Sequence, residues 1–153
     1  MKFEKIQILT IITTVFLAAV SCTSTEAPPT PTTLENSVTI RGTVIPVEVA
    51  RTPALRTQGL SGRESLSADG GMLFVFEKKG SYGFWMKEMK FPLDIIWIAD
   101  DKIVDIKPNL PPAGLADLVS YFPQTPANYV LEVNAGFAAS HGWQTGDKVE
   151  INL

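Results

Sequence analysis

Apolar and polar positions follow three different patterns along the 153-residue chain. Ile6 to Val20 is a mostly apolar run behind Lys2 and Lys5, with Thr10, Thr13 and Thr14 inside it. Thr23 to about Ser37 has no hydrophobic period and is rich in Thr, Pro, Ser and Ala. From Val38 onward, short apolar stretches recur between turn residues, which is the pattern of a β-rich core.

Within that third region, Val38, Ile40, Val44, Val47 and Val49 alternate with polar residues around Gly42 and Pro46. The alternation predicts two short strands or one bulged strand. Thr52 can cap a helix, Pro53 suits a first helical turn and Gly59 can end one, so a short helix is expected between them. Met72 to Phe76 is continuously apolar behind Gly70-Gly71, which fits a buried strand, and Lys78-Lys79-Gly80 reads as the turn after it. Phe84 to Met86 and Leu93 to Ile98 are strand-like. Asp100-Asp101 predicts a hairpin into Lys102 to Ile106, with antiparallel pairing. Residues 107 to 127 hold Pro108, Pro111, Pro112, Pro123 and Pro126 and read as a long loop with a helical turn near Leu115 to Val119. Tyr129 to Val133 is a further strand, Phe137 to His141 a second short helix stopped by Gly142, and Val149 to Leu153 a closing strand. Together these predict a mainly β fold, a small sandwich or barrel-like domain with two short helices, or α+β if the helices are counted. No internal repeat is visible.

Composition narrows the class. The chain is 45% hydrophobic and 19% charged, enough apolar surface for one core without disulfides. Net charge is -3, and the chain becomes more acidic without its first 21 residues, which argues against a nucleic-acid partner. A single cysteine, Cys22, excludes an internal disulfide and a thiolate metal cluster.

The position of Cys22 points to export. Two lysines, an apolar run shorter than the roughly 18 to 20 residues that span a bilayer, and Ala19-Val20-Ser21-Cys22 make a signal-peptide pattern over residues 1–21. The segment resembles a bacterial lipoprotein signal, which implies acylation of Cys22 and anchoring in the cell membrane or outer membrane. The family usually has Leu three residues before the cysteine, where this chain has Ala19. Ala19 and Ser21 also suit ordinary signal peptidase, which would release a soluble secreted protein. Residues 22–37 then read as a Thr/Pro-rich tether, leaving 38–153 as a single globular domain. Acyl chains contribute roughly 0.8 kcal/mol per buried methylene, so several would hold the protein on a membrane.

Five blocks carry a more specific likeness. They are Arg56, Gly59, Leu60 and Arg63; Gly71-Met72-Leu73-Phe74 with Phe76; Phe84-Trp85-Met86-Lys87; Pro92-Leu93-Asp94-Ile95-Ile96; and Pro126-Ala127 with Tyr129-Val130-Leu131-Glu132 and Ala135-Gly136. In this order and spacing the chain resembles the bacterial and archaeal domain of unknown function 192 family from about Val38 to Leu153. The resemblance implies a compact, mostly β domain and no transferable activity. Many members of that family carry a cysteine pair in the long loop. Pro111 to Phe122 holds none here, so no metal or redox role based on such a pair is implied.

Candidate chemistry centres on Asp94. In an extended strand it shares a face with Ile96 and Ile98, and a buried charge there needs a cation or backbone amides to meet it. Arg56, Arg63 and Lys87 are the available cations, and the carboxylate would either lock the fold or serve a cleft. Trp85 or Trp97 could form an aromatic platform for a sugar or peptide, although strand packing on both faces explains Phe84-Trp85-Met86 as well. Met72, Met86 and Met89 with His141 could in principle form a soft copper site, but they lack ligand spacing, and His141 beside Gly142 can instead cap helix carbonyls. A nucleophile triad is almost excluded by one His, no catalytic Cys and no Gly-x-Ser-x-Gly elbow. Asp94, Asp105 and Glu132 leave a carboxylate pair conceivable.

The sequence therefore supports an envelope-tethered, non-catalytic module that binds a ligand or protein partner near Arg56, Trp85, Lys87 and Asp94, without cofactor, metal or nucleic acid. The alternative is a small carboxylate-dependent hydrolase acting on cell-wall or exported glycans.

Overall fold

Residues 36–113 and 119–153 are described by the structure, a computed structural model. They belong to the second of two units into which the chain divides, Thr33–Leu153. The signal segment 1–21, Cys22, nearly all of the tether and most of the helical turn expected near Leu115 lie outside the described residues.

The alternating stretch after Val38 forms a hairpin, β1 (Ser37–Ile40) and β2 (Thr43–Ala50). Arg41 and Gly42 turn it, both with positive φ (50° and 83°), the conformation that matches a two-residue turn to strand twist. Helix α1 (Pro53–Gln58) follows as its residues predict. The Thr52 side chain accepts from the Leu55 amide, Pro53 opens the first turn and the Gly59 N–H returns to the Leu55 carbonyl. Strands β3 (Gly71–Gly80), β4 (Phe84–Trp85), β5 (Leu93–Ala99), β6 (Lys102–Leu110), β7 (Ser120–Tyr121), β8 (Ala127–Asn134) and β9 (Val149–Asn152) complete the β structure, with α2 (Phe137–Ser140) between the last two.

Seven strands form one sheet in the order β6-β5-β8-β3-β2-β1-β9, curled into a half-barrel, while β4 and β7 make a separate two-stranded ribbon. The fold is mainly β, with two short helices. The β2–β3 pair is parallel, α1 lying in the crossover between them, and the other strand pairs are antiparallel. The sheet's edges meet at one end. There Gly146 donates to the Ile103 carbonyl at 2.8 Å and Val149 to the Asp101 carbonyl at 2.7 Å.

Both faces of the sheet are covered. Leu73, Ile96, Ile98, Leu131 and Val133 point into one core with Val38, Ile40, Ile45, Val149 and Trp143. Met72, Phe74, Leu93, Ile95, Trp97 and Val130 point into a second with Leu60, Phe84, Met86 and Met89. This is why β3, β5 and β8 read as continuous apolar runs, since a strand buried on both sides has no polar face to alternate with.

Two sequence expectations are corrected. Lys78-Lys79-Gly80 is not a turn but the exposed end of β3, where pairing with β8 loses register between Val75 and Gly80 and the side chains reach solvent. The expected loop over 107–127 is shorter, because β6 continues through Pro108 to Leu110 and β7 lies inside the region. Strand β6 is a sheet edge, so the missing Pro108 N–H costs no ladder bond. A register shift opposite Leu93–Ile95, with Asn109 at φ 54°, absorbs the irregularity.

Candidate functional site

Glu132 sits in the middle of β8, opposite Met72 of β3 and Ile95 of β5. The pleat sends it to the second core, away from the face of Leu131 and Val133. Its side chain is 5% exposed and has no hydrogen-bond or ion-pair partner among the described residues. Burial alone pushes the carboxyl up from 4.5 to about 8, with no neighbouring cation pulling it back.

This carboxyl lies among the walls of a cleft of about 270 Å³ between α1 with its following loop and the aromatic end of β3 and β4. The walls are built of rings. Phe76 stacks on Tyr82 at 3.6 Å between centroids, and Phe84 meets Phe74 edge-on at 4.8 Å. Trp97, behind Phe84, is fully buried and donates its indole N–H to the Tyr82 carbonyl at 3.0 Å, fixing the turn that carries Tyr82. On the opposite wall the α1 terminus packs tightly, because a Cβ on Gly59 would lie 3.3 Å from the Phe74 ring. Arg56 lies along the rim, donating to the Arg51 and Val75 carbonyls, its guanidinium carbon 4.9 Å from the Phe76 centroid.

Of the residues singled out in the sequence, the cleft brings together Arg56 and Trp85 and leaves out Lys87 and Asp94. Trp85 is 46% exposed at the cleft, so packing on both faces of Phe84-Trp85-Met86 holds for Phe84 and Met86 and fails for Trp85. Lys87 lies 3.8 Å from Glu88, and its carbonyl accepts from Ser61. Trp97 is core, not platform.

Asp94 is fully buried, and it is met by amides rather than by Arg56, Arg63 or Lys87. Its Oδ1 accepts from Asn109 at 2.8 Å and Gly136 at 3.0 Å, and its Oδ2 from Ala138 at 2.9 Å. The carboxylate thereby ties β5 to the irregular end of β6 and to the start of α2, a fold-locking role. Arg63 instead grips Glu48 with both terminal nitrogens, at 2.5 and 2.7 Å, lowering the Glu48 carboxyl and raising its own guanidinium.

The expected carboxylates do not converge. Asp94 and Glu132 leave opposite faces of the sheet, and Asp105 accepts from Lys107 and from the Ile106 and Gln124 amides. The soft metal set is divided in the same way. Met72, Met86 and Met89 lie in the second core, whereas His141 stacks on Phe137 at 4.2 Å and its Nδ1 lies 2.8 Å from the Phe137 carbonyl.

Glu132 appears in the sequence only as a member of a conceivable acid pair. Its signal is the lone charge inside Tyr129-Val130-Leu131-Glu132-Val133, the reasoning that singled out Asp94 applied to the neighbouring strand.

The described residues thus form a two-core β half-barrel with an aromatic cleft lined by a buried acid that has no partner among them. Residues 36–151 match the domain of unknown function 192 family, described as uncharacterized ACR, and the chain belongs to that family. Among solved structures it is similar to a protein of unknown function from Novosphingobium aromaticivorans, at 37% identity and TM-score 0.68, over 74% of this chain and 83% of that one. It is also similar to a Sinorhizobium meliloti protein provisionally named a transcription regulator, at 34% identity and TM-score 0.69, over 76% of this chain and 92% of that one. No curated protein matches it.

Proposed function

We propose that this protein is a non-catalytic binding module of the cell envelope, tethered through acylated Cys22, which takes a small ligand in the cleft between α1 and the β3–β4 aromatics. The observation that carries the reading is Glu132, a buried carboxyl left without a partner inside a ring-lined cleft. A ligand that brings a hydrogen-bonding or charged group to this carboxyl would replace the water that reaches it through the cleft with a direct contact. The half-exposed Trp85 adds apolar surface at the entrance.

The rival hydrolase needs two carboxyls roughly 5 to 10 Å apart across one bond. Glu132 is the acid among the residues lining this cleft, and Asp94 and Asp105 are both engaged by amides. The geometry therefore favours binding over glycoside cleavage. The regulator name of the Sinorhizobium relative is not carried over, since a net charge of -3 gives no electrostatic footprint for DNA.

The test is amide-resolved NMR of the mature chain against a library of small-molecule fragments. Shifts should cluster on Gly59, Ser61, Gly83 and Trp85, and Thr57→Trp, which fills the cleft from the exposed side of α1, should abolish them. Shifts scattered over the surface, or unchanged by Thr57→Trp, would refute the site.

A further inference from the structure

The chemistry of this cleft names a ligand class. This step rests on the cleft being a binding site, and it goes beyond that reading by specifying charge. From β3 the side chain flanking Glu132 is Met72, and from β5 it is Ile95, both apolar. Among the described residues lining the cleft, the other charged or titratable groups are Arg56 on α1 and Tyr82 after β3. Neither reaches Glu132. Arg56 is held by two backbone carbonyls, and the Tyr82 hydroxyl donates to the Lys78 carbonyl at 2.8 Å. Among the described residues the carboxyl therefore has no cation partner, and the cleft it lines is otherwise walled largely by the rings of Phe74, Phe76, Tyr82, Phe84 and Trp85.

Aromatic faces attract cations, as the Arg56 guanidinium over Phe76 shows; that ring is filled by Arg56 and Tyr82, and Phe84 and Trp85 are the rings left for a ligand nearer the entrance. A ligand that met Glu132 with an ammonium group would gain an ion pair and ring contacts together. A neutral hydroxyl or carbonyl would gain a single hydrogen bond. The volume of about 270 Å³ suits an amine with a ring or short chain attached.

We infer that the cleft binds a primary organic ammonium ion, whose nitrogen pairs with the ionised Glu132 carboxylate while its apolar body lies against Phe84 and Trp85. Binding is then coupled to a proton. The free carboxyl, raised to about 8, is mostly protonated at neutral pH, and pairing with the ammonium ionises it. The proton leaves Glu132 for the buffer and the ammonium keeps its own, so charge balances. About 0.9 proton is released per ligand at pH 7, and affinity rises about tenfold from pH 6 to pH 7, because the ionised fraction grows by that factor.

The experiment is calorimetry of the mature chain with 2-phenylethylammonium and, as the neutral counterpart, 2-phenylethanol, in two buffers of different ionisation enthalpy. The expected result is at least tenfold tighter binding of the ammonium, buffer-dependent heats reporting close to one released proton, and the tenfold rise from pH 6 to 7. Glu132→Gln should lose the preference and the proton release while retaining whatever affinity it has for the alcohol. Should the variant fail to fold, proton release by the unaltered chain decides the same question. Equal binding of alcohol and ammonium without proton release would overturn the cation assignment and leave the cleft as a binding site. Absence of ammonium binding at millimolar concentration would overturn it too, and the fragment experiment decides separately whether the cleft binds anything.

Discussion

Replacing Asp94 with Asn divides one carboxylate between two unlike atoms, and the structure shows what each must face. Oδ1 accepts from Asn109 and Gly136, and Oδ2 from Ala138, at 2.8 to 3.0 Å with the residue fully buried. In its best orientation Asn keeps an oxygen toward Asn109 and Gly136 and points an NH2 at the Ala138 N–H, donor against donor. A hydrogen bond to a charged group is worth about 1.5–3 kcal/mol, and an orphaned buried donor costs about 1–3 kcal/mol. With the charge assistance also gone from the two surviving bonds, the loss should be about 3–5 kcal/mol. Asp94→Ala, which orphans all three amides, should lose more and approach the whole stability of a domain this size, typically about 5–15 kcal/mol. Equilibrium denaturation at pH 7 measures the total, and hydrogen exchange at the Ala138 amide measures the local part. A loss below about 1 kcal/mol with the Ala138 amide still protected would refute the clasp.

Three further outcomes follow from the same geometry. A buried carboxyl raised to about 8 stabilises the fold below its unfolded value near 4.5, and that stability is lost as pH rises through 8. The unaltered chain should therefore lose on the order of 3 kcal/mol relative to Glu132→Gln between pH 5 and 8, read from denaturation midpoints; parallel pH curves would show that Glu132 is paired or solvated. Glu48 has the opposite sign, since Arg63 lowers its carboxyl, so the pair supports the fold above about 4.5 and fades in acid. Both side chains are more than a third exposed, and Arg63→Ala should cost at most about 1 kcal/mol at pH 7 by denaturation, less in high salt. Mass spectrometry of the mature protein from membranes should find an acylated Cys22, and an unmodified chain in the medium would make the protein a free secreted one.

Much of the fold was legible because local chemistry and tertiary context agree. Thr52, Pro53 and Gly59 bound a helix wherever they lie, Asp100-Asp101 turns a hairpin, with Asp100 at φ 54°, and the apolar runs of β3 and β5 admit little but a strand covered on both sides. What was missed depends on position in the sheet. Pro108 breaks a strand unless that strand is an edge, and Lys78-Lys79-Gly80 looks like a turn unless β3 outruns its partner. The site was legible in part. Arg56 and Trp85 do share a cleft, which Glu132 lines and Asp94 does not. Both are lone acids in apolar strands, and only the cover on each face distinguishes them. Backbone amides of β6 and α2 close over Asp94, while Glu132 lies between Met72 and Ile95 and lines the cleft without a hydrogen bond from the described residues.

The central claim is that Glu132 is a buried, unpaired carboxyl facing a ligand cleft, and carboxyl-carbon NMR of Glu132 during a pH titration tests it most directly. The expected result is an inflection near 8 in the free protein, moving down when 2-phenylethylammonium saturates the cleft. An inflection near 4.5 in the free protein would mean that water or an internal partner already satisfies the carboxyl, which would contradict the claim.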